Sequence, residues 1–62
     1  MSQWMEYAEK KGDYLCELAD EHIRCKEPDK AKDLLGKAIG WYKKAGLTDK
    51  IEKVKKILKE LS

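Results

Sequence analysis

The spacing of apolar residues predicts an all-α fold: a three-helix antiparallel bundle, made of a helical hairpin plus a C-terminal helix. Three observations carry that prediction. Apolar residues recur at threes and fours along the whole chain. A lone proline, Pro28, separates the first such run from the second, and Gly46 separates the second from the third. The 62 residues bound the answer to a single domain, 1–62. A chain of this size buries only roughly 60% of the surface its unfolded form exposes, so it cannot be divided further.

The first helix is expected over about residues 3–26, where Trp4, Tyr7, Ala8, Leu15, Leu18, Ala19, His22 and Cys25 form the stripe. Lys11 and Gly12 interrupt it, and glycine inside a helix costs about 1 kcal/mol relative to alanine. Because the stripe resumes in phase beyond them, one continuous helix is expected. Pro28 is tolerated at a first helical position but forces the preceding residue out of helical geometry, so it ends one helix and opens the next. Such a short turn makes the two helices antiparallel neighbours. The second helix, 28–45, carries Ala31, Leu34, Leu35, Ala38, Ile39, Trp41, Tyr42 and Ala45 over nearly half its circumference, an arc suited to a central helix touching two others. Gly46 is read as a left-handed stop and Thr48 as the cap of a third helix over 49–61. Ile51, Val54, Ile57, Leu58 and Leu61 are its inner stripe.

Residues 14–46, YLCELADEHIRCKEPDKAKDLLGKAIGWYKKAG, resemble a single tetratricopeptide repeat, a helix pair of 34-residue period whose small residues let the helices pack closely. Leu15 and Leu18 match its apolar first-helix positions, Ala19 its small position, and Ala31, Leu35 and Ala38 the small, large, small set of its second helix. The third helix then looks like a capping helix. The three-helix domain of the microtubule-interacting and trafficking type is a second shape that the chain resembles. Both resemblances imply a non-catalytic module that binds a protein or peptide.

Composition narrows the function classes further. Charged residues are 42% of the chain, Phe and Asn are absent, and the net charge is +2, a profile of the kind met in thermophilic proteins. No amino-terminal leader pattern and no run of roughly 20 apolar residues is present, which reads as cytoplasmic with no membrane partner. Cys16 and Cys25, nine residues apart on one helix, would have Cα atoms about 13 Å apart. Bridged Cα atoms lie within about 7 Å, so they are not expected to pair. Zinc normally takes four ligands, and His22 with two thiols on different faces offers no second cluster. Catalysis by cysteine needs a base and oxyanion donors around it, and neither is apparent beside Cys25 or His22. No catalytic residue, cofactor or metal is therefore assigned.

Candidate interface positions remain. Residues through Glu27 carry a charge of −3, residues 28–48 carry +3, and the remainder +2, so the acidic edge of one copy could meet the basic edge of another. Trp4 and Tyr7 are expected where the first helix passes the Gly46–Leu47 turn, either closing the open end or anchoring a partner. Met5, Cys16 and Ile23 form a second, thinner apolar line about 100° from the main stripe. Gly36 and Gly40 lie opposite the core stripe of the second helix, where close approach of another helix would explain them. A homo-oligomer follows as the expected supplement to so thin a core. The alternative is a small basic-faced helical protein binding nucleic acid through Lys50, Lys53, Lys55, Lys56 and Lys59; with no interleaved aromatics, those lysines would grip phosphate weakly.

Overall fold

A computed structural model describes residues 2–61, the side chain of Ser2 excepted. The chain is an all-α three-helix bundle of α1 (Ser2–Arg24), α2 (Pro28–Ala45) and α3 (Thr48–Leu61). Its Cα extents are 39 × 17 × 12 Å, so the helices form a flat layer rather than a rounded cluster. α2 lies along α1 and, over a shorter length, along α3, whereas direct contact between α1 and α3 is slight. The broad apolar arc of α2 is thus spent on two neighbours.

Small residues make the hairpin tight. Among the described residues, Ala8, Ala19, Ala31, Ala38 and Ala45 are five of the eight buried hydrophobic residues, and only Leu35, Tyr42 and Val54 add bulk. Alanine brings helix axes close but fills little volume, which leaves a thin interior. α1 runs unbroken through Gly12, and the reason is packing. A Cβ built on Gly12 would lie 2.5 Å from Cε1 and 2.8 Å from Cδ1 of the Tyr42 ring. The glycine is the socket into which α2 sets its largest core side chain.

The buried face of α1 is centred on Ala8, Gly12 and Ala19, rotated from the stripe that the apolar residues alone suggest. That rotation draws Cys16 and Ile23 inward, where both pack against the core cluster, and turns Trp4 and Tyr7 outward. The separate outer line expected of Met5, Cys16 and Ile23 is therefore not formed. Only Met5 of the three is exposed.

Both reversals are built alike. After α1, the Glu27 amide donates to the His22 carbonyl at 2.8 Å and the Lys26 amide to that of Ile23 at 3.0 Å. After α2, the Leu47 amide donates to Tyr42 at 3.0 Å and the Gly46 amide to Lys43 at 3.1 Å. Each is a Schellman closure, with its left-handed residue at Lys26 (φ 61°) or Gly46 (φ 69°). Pro28 then opens α2, the Glu27 carbonyl accepting from the Ala31 amide. At α3 the Leu47 carbonyl accepts the first helical bond, from Ile51, so Leu47 holds the cap position expected of Thr48, which is the first residue inside the helix.

Candidate protein-interaction surface

Trp4 and Tyr7, one helical turn apart on α1, meet Trp41 of α2. Ring centroids are 5.9 Å apart for Trp4–Tyr7, 6.3 Å for Trp4–Trp41 and 5.7 Å for the edge-on pair Tyr7–Trp41. Such tilted and T-shaped pairs are the favoured aromatic geometries. The Lys44 ammonium lies 4.6 Å from the Trp41 ring centroid and that of Lys11 lies 5.9 Å away, so cations from both helices sit on the cluster. The cluster is nonetheless open to solvent: Trp4 is 52% exposed, Tyr7 51%, Met5 48% and Tyr14, two turns further along α1, 54%. An aromatic surface with a cationic rim suits a partner that is apolar and acidic.

A polar clamp stands on the other flank of α1, facing α3. The Tyr42 hydroxyl donates its proton to Asp13 Oδ1, which leaves its lone pairs for the Cys16 thiol 3.6 Å away. Lys50 of α3 reaches Asp13 Oδ1 at 3.0 Å and Glu9 Oε2 at 2.7 Å. Lys50 thus ties α3 to α1, two helices whose backbones otherwise share little contact. Burial opposes charge on Asp13, but the hydrogen bonds from Tyr42 and Lys50 outweigh it and hold the carboxyl below its usual value. Burial pushes the Tyr42 phenol up, and its bonds to Asp13 and Cys16 push it further. Burial also raises the Cys16 thiol, which disfavours the nucleophilic thiolate.

His22 Nδ1 bonds Glu27 Oε1 at 2.8 Å across the first reversal, and that bond is the main cause of the lowered Glu27 carboxyl. Among the described residues, no group of three or more His, Cys, Asp or Glu side chains is placed to hold a metal ion. Both cysteines are free thiols, Cys16 partly buried and Cys25 exposed. No helix of the described residues is long and apolar enough to cross a membrane.

The structure thus groups Trp4, Met5 and Tyr7 at one open end, turns Cys16 and Ile23 into the bundle, and leaves Gly36 and Gly40 on a bare helix face. A Cβ on either glycine would meet nothing within 4 Å, so nothing among the described residues explains them. Sequence reasoning missed three participants. The apolar arc of α2 counts Trp41 as core, although its indole bridges to α1. Tyr14 lies seven residues after Tyr7, a spacing that marks one helix face. Asp13 carries no local signal, because its partners Tyr42 and Lys50 lie 29 and 37 residues away along the chain. Of the four pairs with an acid four residues before a lysine (Glu6–Lys10, Asp33–Lys37, Asp49–Lys53, Glu52–Lys56), Asp33–Lys37 closes at 3.6 Å; Asp20–Arg24, at the same spacing, closes at 3.0 Å, while the clamp joins residues 37 apart. Compared with known protein families, curated proteins and solved structures, the chain matches none of them.

Proposed function

We propose that this chain is a non-catalytic protein-interaction module of tetratricopeptide-like shape, which associates with itself or with another polypeptide. The observation that carries this reading is the aromatic surface of Trp4, Tyr7 and Tyr14 with Met5 beside them, about half exposed across α1 and continued by Trp41 of α2. Exposed aromatics are costly to leave in water and supply much of the energy of protein interfaces. The repeat-like shape is supported by Ala19, Ala31 and Ala38, all fully buried as the resemblance requires, with α3 packed on α2 as a capping helix would be. A reducing, cytoplasmic setting fits two unpaired thiols, one of them exposed.

The test is a set of immobilised amphipathic peptides, including one of this chain's own α1, probed with the wild type and with a Trp4→Ser, Met5→Glu variant. The wild type is expected to bind at least one peptide, and the variant to lose that binding with its helical circular dichroism unchanged. Absence of any such binding, together with an affinity for nucleic acid that falls steeply with salt, would overturn the reading in favour of the lysines of α3.

A further inference from the structure

The charge of the hairpin is divided along its length as well as between its helices. Residues 1–12 balance at zero and residues 37–45 carry three lysines and no acid, so the open end of the hairpin holds +3. Residues 13–27 carry five acids and two bases and residues 28–36 balance, so the turn end holds −3. The aromatic cluster lies at the positive end. Along α1, Trp4, Tyr7, Lys11, Tyr14, Leu18 and Glu21 follow one another at alternating steps of three and four, the spacing of a helix that lies against a second helix. Trp4, Tyr7, Tyr14 and Glu21 are exposed, and Lys11 and Leu18 are half-buried. The stripe starts in the positive half and ends in the negative half.

We propose that this stripe is occupied by the same stripe of a second copy, running antiparallel, in a two-fold dimer. The inference rests on the interaction-module reading and names its partner. An antiparallel copy sets each positive end on the other's negative end twice, whereas a parallel copy sets like charges together. The register that buries both Trp4 rings places Trp4 opposite the partner's Glu21, Tyr7 opposite the partner's Leu18 and Lys11 over the partner's Tyr14. No lysine then faces its own copy. Lys44, held on Trp41 beside Trp4, comes within reach of the partner's Glu21. The copy covers the most exposed aromatic residues of the chain and supplies the apolar burial that an alanine-lined interior lacks.

The experiment is sedimentation equilibrium of the full chain and of the charge-reversed variants Lys44→Glu and Glu21→Lys, alone and mixed, with helicity checked by circular dichroism. Both substituted side chains are exposed, so the fold is expected to survive. A dimer is expected for the wild type, with tryptophan emission shifting to the blue as concentration rises. Each variant alone should dimerise on the order of tenfold more weakly, because two symmetry-related pairs become repulsive. The equimolar mixture should recover wild-type affinity. A wild type that stays monomeric at every concentration overturns the dimer, as does a dimer indifferent to both reversals and to Tyr14→Glu. A monomer that still binds a foreign peptide through Trp4 and Met5 removes the second copy and leaves the module reading standing; a chain that does neither removes both.

Discussion

Gly12 and Tyr42 form one packing unit, and neither is intelligible alone. The ring lies where a Cβ would be, and its hydroxyl is fixed by Asp13, the residue after the glycine, so the ring cannot swing aside without losing that bond. In Gly12→Ala, overpacking should cost about 1–3 kcal/mol, against about 1 kcal/mol gained in helix propensity. A net loss on the order of 1 kcal/mol is expected in urea unfolding, opposite in sign to the usual effect of alanine for glycine in a helix. A rise in stability would show that the ring has room to move. The sequence marks Gly12 as an irregularity in the stripe; what fills the space is a residue 30 positions away, which no local pattern encodes.

The two reversals share hydrogen-bond geometry and differ in the residue that takes the left-handed backbone. Gly46 does so without a Cβ penalty, whereas Lys26 at φ 61° carries strain on the order of 1 kcal/mol. Replacing Lys26 by glycine relieves that strain and gives back part of it as added freedom of the unfolded chain. Lys26→Gly is expected to stabilise by about 0.5 kcal/mol, seen as a melting temperature raised by a few degrees. A lower melting temperature would mean that the lysine contributes more than its backbone costs. At this scale the sequence was most legible: Pro28 and Gly46 each impose a local backbone constraint, and the helices end where those constraints act. The rotation of α1 was less so, because Trp4, Tyr7 and Leu18 lie on its flank and pull an apolar average away from the alanines and glycine that are actually buried.

Charge adds a tie between α3 and α1 to the packing of α3 on α2, and it shapes the pH range of the assembled layer. Asp13 and Glu27 have carboxyls below their usual values of 3.8 and 4.5, so the stability they contribute is complete above those values and is lost as pH falls through the lowered ones. Lys50 and Tyr42 are raised above their usual 10.5 and 10.0; Lys50 is raised chiefly by its bonds to Glu9 and Asp13 and Tyr42 chiefly by burial, and their contribution is present below those usual values and lost as pH climbs beyond them. Urea midpoints should therefore form a plateau between about pH 5 and 10 and fall on both sides. In Asp13→Asn the plateau should be lower, and the difference from wild type should shrink as pH falls through the lowered value of the wild-type carboxyl, which is neutral below it. A constant difference across that range would mean that the charge of Asp13 does not hold α3 in place.

By itself the sequence determined how many helices form, where they end and which helix is central, because periodicity, proline and glycine act within a few residues of the chain. Tertiary structure alone decided which way α1 is turned about its axis, that Trp41 reaches across to Trp4 and Tyr7, and that Asp13, Tyr42 and Lys50 converge. Those outcomes depend on how far apart two helix axes can settle. That distance is set by the volumes of side chains meeting from opposite helices, a quantity neither helix specifies without the other.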